Sequence, residues 1–463
     1  MDNFLKEFNL LIKKIENEYQ VNELLIDKIK IWPIIRFSLF EIVSRYKKQT
    51  FYERIYEKYL DVIIKNDQQS FVDEKLFEYD SFQDVIFISD DHFYVNKQNK
   101  FVNKYIDNIY KELQKDFQAT KLHLDSKISQ FKILSSKKIK PRESFKKIVF
   151  DEFTIKFIDD LRHEIKKSKF NMIDLEYFEI VLKNKMLDVE EGRNFIKDLS
   201  HKPKFIFYSS YTLPFKLGLN IESKNFGIKT IDVQHGKQGI YNPLYTNWNK
   251  VPVKNYEMLP DYFWTWNEIS KKRIEQIDNS TSSGLKAVVS GYRFPANYEK
   301  NQKKENYVLV TLQPLVFQKT QFLQNFVVKC IKNNKNLKWI IKPHPKQNKR
   351  DIKKIKKELN FKNTIVTTED NIFELFNKSC VHITEYSSTA FEALYFDVPT
   401  IFTSHIAKDE YSNEIDNGIF FYVDNYKSLN RKINSLMSGK YNFKNKEPEY
   451  IDYLKLEPIN KNI

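Results

Sequence analysis

From residue 307 onward the chain alternates short, wholly apolar runs with amphipathic stretches, a pattern that few folds accept. Tyr307-Val308-Leu309-Val310-Thr311 reads as a strand, followed by a helix near 318–333. Trp339–Lys342 precedes a helix near 348–358, Thr364-Ile365-Val366 one at 371–378, and Val381-His382-Ile383 one at 388–396; Thr400-Ile401-Phe402 is a further strand. Runs without polar alternation belong to strands buried on both faces, hence to a parallel sheet covered by helices on each side. Strand and helix in turn predict a doubly wound α/β domain.

The 463-residue chain is too long for one compact core and fits two domains. Residues 1–75 carry helical periodicity with heavy Lys/Glu alternation and predict an N-terminal helical region. A second Rossmann-like domain is expected over 76–295. Its first strong strand, Asp84–Ser89, ends in Asp90-Asp91-His92. Helical stretches around 102–116 and 155–200 enclose shorter strands, including Lys147-Ile148-Val149-Phe150. Further strands are expected at Phe205–Tyr208, Thr230–Val233, Asp261–Trp266 and Ala287–Gly291. Residues 296–306 lose periodicity and read as a linker, 307–440 form the second sheet domain, and 441–463 are a terminal segment.

The net charge is +15, but the basic residues are mostly lysines scattered through Lys/Asn/Ile-rich text, which reads as compositional habit. No RNA-module or helix-turn-helix signature accompanies them, and arginine is scarce, so nucleic acid is not the expected partner. An anionic membrane surface or a phosphate-bearing substrate fits the charge better. Two cysteines, Cys330 and Cys380, lack metal-ligand spacing and suit a reducing cytoplasm. The N-terminus has no signal-peptide core, and the early apolar segment Ile31–Phe37 is interrupted by Pro33 and Arg36. A cytoplasmic location, including the inner face of the membrane, is therefore expected. Glycine is rare, nine in all, and two of them, Gly236 and Gly239, follow His235; a tight backbone approach is expected there.

Ligands of doubly wound sheets lie outside the carboxyl ends of the strands. The polar residues at those ends are Asp90, Ser209, His235, Gln313, His344 and Ser387. After Val381–Ile383, the hydroxyls of Ser387, Ser388 and Thr389 open a helix, so hydroxyls and free backbone N–H groups point one way and suit a phosphate. One hydroxyl would be enough to cap the helix. His344, held between Pro343 and Pro345, is a second candidate contact to the same anion. Trp264 and Trp266 alternate in a strand and read as core, and His382 reads as a satisfied core histidine.

Three elements, Val233-Gln234-His235-Gly236, Lys342-Pro343-His344-Pro345 and Thr384-Glu385-Tyr386-Ser387-Ser388, carry a resemblance. Over about residues 205–405 the chain resembles bacterial surface-polysaccharide transferases of the capsule and teichoic-acid type. In the teichoic-acid glycerophosphotransferases a histidine-glycine, a His-Pro and an acidic-Tyr-Ser-Ser element recur in this order. The bacterial sialyltransferases share the His-Pro and serine elements. The resemblance implies a GT-B-like architecture, two Rossmann-like domains facing a cleft, and a nucleotide-activated donor, CMP-, CDP- or UDP-linked. It places donor contacts at His344, Ser387, Ser388, Thr389 and Glu392, the last as an acceptor for ribose hydroxyls, with Gln313 at the neighbouring strand end.

Lys342 and Arg293 are candidates for neutralising the departing phosphate, because fixed cations aimed at developing charge stabilise a transition state. An acceptor hydroxyl is a poor nucleophile at neutral pH, and an imidazole of ordinary pKa, about 6.5, suits removing its proton, which makes His235 the candidate base. Asp90 and Asp91 are the alternative. No metal and no resident cofactor are expected; the acceptor is a glycan or lipid-linked glycan. The rival readings are a CDP-polyol phosphotransferase, a nonhydrolysing sugar-nucleotide epimerase, which would be shorter, and a noncatalytic assembly or export protein on the same fold.

Overall fold

The computed structural model describes residues 4–45, 83–89, 94–97, 100–124, 137–139, 147–249, 251–278, 281–282, 285–292, 304–313, 321–345, 347–368 and 370–438. Contacts divide the chain into two compact units, residues 3–295 and residues 296–455.

The first unit is built on seven parallel strands: β1 (Val85–Ser89), β2 (Ala119–Leu124), β3 (Lys137–Ile139), β4 (Phe205–Tyr208), β5 (Lys229–Val233), β6 (Tyr262–Thr265) and β7 (Ala287–Val289). Their spatial order is β7-β6-β5-β4-β1-β2-β3. β1 is buried at every residue and lies in mid-sheet between β4 and β2, where burial on both faces is obligatory.

Among the described residues, the helices that accompany this sheet are α1 (Phe4–Glu18), α2 (Trp32–Arg45), α3 (Asp107–Leu113), α4 (Glu152–Lys167), α5 (Phe178–Asp198), α6 (Pro214–Asn225) and α7 (Glu268–Glu275). The N-terminal helices are tied into the unit by a buried ion pair. Arg36 Nη1 donates to Glu16 Oε1 at 2.7 Å and Nη2 to the carbonyls of Thr246 and Asn247, while the guanidinium lies over the Trp248 ring. Glu16 also accepts from Trp32 Nε1 and from Asn249 N. The chain downstream of His235 is thus held by residues more than two hundred positions earlier.

Several expectations need correction. Residues 147–150 form no strand; Ile148 and Phe150 are buried and Lys147 and Val149 exposed, so the alternation marks an extended lead-in to α4, capped by Asp151 accepting from Thr154 N at 2.7 Å. The stretch at 155–200 is two helices, parted at Ser168–Tyr177, where the Ser168 hydroxyl accepts from Phe170 N and competes with helical hydrogen bonding. The stretch at 102–116 begins as a strand, Lys100–Asn103, paired antiparallel with Tyr94–Lys97, before α3. A close backbone approach joins α5 to α6: a Cβ on Gly192 would lie 1.9 Å from the Phe215 carbonyl oxygen, and one on Gly218 1.9 Å from that of Val189.

The second unit carries six parallel strands: β8 (Tyr307–Thr311), β9 (Lys338–Lys342), β10 (Thr364–Val366), β11 (Ser379–Thr384), β12 (Thr400–Phe402) and β13 (Phe421–Tyr422), ordered β10-β9-β8-β11-β12-β13. Its helices are α8 (Asn325–Asn333), α9 (Lys349–Glu358), α10 (Ile372–Lys378), α11 (Thr389–Tyr395), α12 (His405–Glu410), α13 (Ser412–Asp416) and α14 (Tyr426–Met437). On one face Val308, Val310, Trp339, Ile341, Val381 and Ile383 pack against α8, α9 and α14. On the other, His382 meets Phe376 of α10 edge-to-face. Both sheets have the Rossmann order, in which the fourth strand pairs with the first and the direction of winding reverses. The fold is α/β, with two doubly wound Rossmann-like sheets and N-terminal helices, the two-sheet composition of a GT-B-like chain.

Candidate functional site

In the second sheet the winding reverses between β8 and β11, and the crevice outside their carboxyl ends is where such sheets take ligands. The Ser-Ser-Thr element stands there. Ser388 occupies the N-cap position of α11 but its side chain makes no capping bond; Ser387 Oγ instead accepts from Thr389 N at 3.3 Å. The Thr389 hydroxyl lies 3.4 Å from that of Thr311 at the end of β8. The three hydroxyls therefore have different duties, and all three residues are half-buried.

Behind them Thr311 Oγ1 is 2.9 Å from His382 Nε2, and His382 Nδ1 is 3.0 Å from Thr400 Oγ1. Burial pushes the His382 imidazole down to about 3, so it is a neutral, satisfied core group. The chain Thr400–His382–Thr311–Thr389 links three adjacent strands to the start of α11 through side chains alone.

At the neighbouring strand end, His344 N donates to Gln347 Oε1 at 2.6 Å, and Gln347 Nε2 reaches the Gln313 carbonyl at 3.4 Å. Gln347, buried and not anticipated from the sequence, joins the ends of β9 and β8 and so brings His344 and Gln313 together. Lys342 points elsewhere: its ammonium donates to the carbonyls of Thr368 and Asp370 at 2.8 and 2.6 Å. Two of its three donors close the loop after β10, so it acts there as a staple. Glu392 is buried, 2% exposed, one turn into α11 and not a surface carboxylate.

In the first unit His235 is half-buried at the end of β5, between the Tyr245 ring (centroids 5.8 Å apart) and the Tyr105 ring (6.4 Å). Tyr105 stacks on Trp266, which meets Tyr292 edge-to-face. Trp264 and Trp266 are core, as expected, at 1% and 4% exposure. Gln234 holds the backbone on either side: its Oε1 accepts from Trp266 N at 2.7 Å, and its Nε2 donates to the Gly236 carbonyl at 2.8 Å and to Ser270 Oγ at 3.2 Å.

Three residues before His235, Asp232 is 1% exposed. Burial pushes its carboxyl up to about 7, against the attraction of Lys216 and a long hydrogen bond from Tyr211 N (3.4 Å). Lys216 Nζ donates to the Ser209 carbonyl at 2.5 Å, and Ser210 adopts φ 63°, a left-handed turn unusual outside glycine. Asp90, Asp91 and Arg293 lie outside the described residues.

Among curated proteins nothing matches this sequence. Solved structures include distant likenesses. UDP-GlcNAc 2-epimerase of Neisseria meningitidis bound to UDP-GlcNAc is 13% identical, with 81% of this chain and 94% of that one covered and a TM-score of 0.45. The UDP-N-acetylglucosamine 2-epimerase of Rickettsia bellii is 12% identical, with 82% and 95% covered and a TM-score of 0.47. The glycotransferase of kitacinnamycin is 10% identical, with 80% and 92% covered and a TM-score of 0.43. The LIC12162 family transferase profile matches residues 34–421, most of both units. The chain belongs to the LIC12162 family of transferases.

Proposed function

We propose that the protein is a glycosyltransferase that takes a sugar from a CMP-, CDP- or UDP-linked donor and passes it to a glycan or lipid-linked glycan. The setting is capsule, lipopolysaccharide or related surface-polysaccharide synthesis at the cytoplasmic side of the membrane. The observation that carries this reading is the gathering of Ser387, Ser388, Thr389, Gln313 and His344 at the winding reversal of the second sheet. There the donor phosphates meet hydroxyls and His344, and Glu392 faces the ribose.

His235 takes the proton of the acceptor hydroxyl as its oxygen bonds the anomeric carbon and the sugar–phosphate bond breaks, the electron pair leaving with the nucleotide. Charge on the leaving group falls to the hydroxyl cluster and Arg293, since Lys342 is turned to the β10 loop. Asp90 and Asp91 are the alternative bases. The reaction calls for no metal and no resident cofactor.

The test is nucleotide release from a panel of activated donors, with analysis of the glycan formed. Glycosyl transfer from a UDP-linked sugar leaves UDP. Transfer of polyol phosphate from a CDP-linked donor leaves CMP and supports the phosphotransferase alternative. Ser388→Ala is expected to raise the donor KM about tenfold, the usual size of a lost contact to a charged group, without lowering Tm, because its hydroxyl caps nothing. A folded protein that releases nucleotide from no donor, with or without glycan, sinks the reading in favour of a noncatalytic assembly protein.

A further inference from the structure

The chain's positive charge is not evenly spread, contrary to the impression its lysine-rich text gives. Residues 329–362 hold thirteen Lys and Arg against only Asp351 and Glu358, a net +11 of the chain's +15. The tertiary structure concentrates it further. Ile355 of α9 and Val327 and Ile331 of α8 are buried against the same face of the second sheet, so the opposite sides of both helices face solvent.

On α9 those outward positions are Lys349, Arg350, Lys353, Lys354, Lys356 and Lys357, all exposed. At 100° per residue they cover an arc of about 160°. Lys332 at the end of α8, Lys335 in the turn after it and Lys362 after α9 are exposed. The stems lie along the edge of the core: the Lys354 ammonium sits 5.6 Å over the Phe322 ring and that of Lys332 5.3 Å over the Phe361 ring. Such packing covers apolar surface while the charged heads stay in water. Lys354 is partly offset by Glu358 at 3.6 Å.

We infer that this face, centred on α9, docks on the anionic headgroups of a lipid bilayer. A cationic helix face of this breadth, its apolar side buried in the domain, presents charge to a surface without inserting. Each Lys or Arg near an anionic leaflet is worth about 1 kcal/mol, an attraction confined to a Debye length. The same charge fits a nucleic acid less well. The face holds one arginine, Arg350, where base and phosphate readers favour arginine, and its nearest rings, Phe322 and Phe361, are covered by lysines and not open for stacking. The inference uses no residue of the donor or base sites, so it stands or falls apart from the proposed reaction.

The test is co-sedimentation of the full chain with phosphatidylglycerol-containing vesicles and with pure phosphatidylcholine vesicles at about 0.1 M salt. Binding is expected to the anionic vesicles only, and to weaken as salt rises. Lys353→Glu/Lys356→Glu/Lys357→Glu is expected to lower that binding about a hundredfold or more. Reversing three exposed lysines of the other unit, Lys115, Lys166 and Lys272, is expected to leave most of it. Absence of wild-type binding to anionic vesicles overturns the inference, as does equal loss in the two triple variants. So does salt-resistant binding to duplex DNA or RNA that the α9 reversal abolishes while vesicle binding persists.

Discussion

A base that takes a proton from the acceptor marks the pH–rate profile with an acidic limb, and at this site two residues could leave that mark. His235 stands at the strand end, and Asp232, pushed up to about 7 by burial, lies three residues away. His235→Ala is expected to lower kcat about 10²–10⁴-fold, to leave donor affinity and folding intact, and to erase the limb. Asp232→Asn is expected to keep the limb. A His235→Ala enzyme that retains the limb moves the assignment to Asp232 where Asp232→Asn then erases it, and otherwise to Asp90 and Asp91. His382 gives a separate pH effect, on stability. Its folded-state pKa of about 3 lies below the ordinary 6.5, so as pH falls the unfolded chain binds the proton first. The stabilisation is whole above pH 6.5 and is lost as pH falls from there toward 3. Between pH 7 and 5 the wild type should lose about 2 kcal/mol more than His382→Gln, read as urea midpoints at the two pH values. Equal losses would show that His382 is not held neutral. His344 and Ser387–Thr389 were legible because proline and hydroxyl runs are local signals. Gln347, Thr311 and Tyr245 were not, since their partners lie on other strands or loops.

Among the elements, the strands that a reader of the sequence finds are the apolar ones. β1 is Val-Ile-Phe-Ile and buried throughout. β2 escapes notice because it contains Lys121 and His123, both almost wholly buried. Lys121 is paired with Asp107 of α3 at 2.6 Å, and burial pushes the ammonium pKa down and the carboxyl pKa up against that pairing. A charged letter in a central strand is tolerable only with such a partner, and the partner is visible only in three dimensions. The α5–α6 crossing makes the same point for glycine. Neither Gly192 nor Gly218 carries a turn signature, yet each faces a carbonyl of the other helix, which cannot yield as a flexible side chain would. Gly218→Ala is expected to cost about 3 kcal/mol or more, measured by urea denaturation, since the helices must separate to admit the methyl group. A loss below about 0.5 kcal/mol would mean that the crossing is looser than described.

At the scale of the whole molecule, the proposed donor contacts other than Arg293 belong to the second unit, so nucleotide recognition should survive without the first. Calorimetry on residues 296–440 is expected to detect a nucleoside phosphate; a folded, silent fragment beside a binding full chain would misplace the donor site. The sequence by itself determined the α/β class and the strand-helix alternation after residue 307. Continuous apolar runs and amphipathic periods are written in neighbouring residues, and burial on two faces leaves a parallel sheet little alternative. It also placed polar groups at the strand ends. Only the tertiary structure decided the strand order, and with it where the winding reverses and which polar ends share a crevice. It alone bound Glu16 and Arg36 to the chain beyond His235, set Asp232 in a site dry enough to raise its pKa, and turned Lys342 away from the crevice while leaving α9's lysines in solvent. Those outcomes depend on desolvation and on contacts between distant segments, which no local pattern encodes.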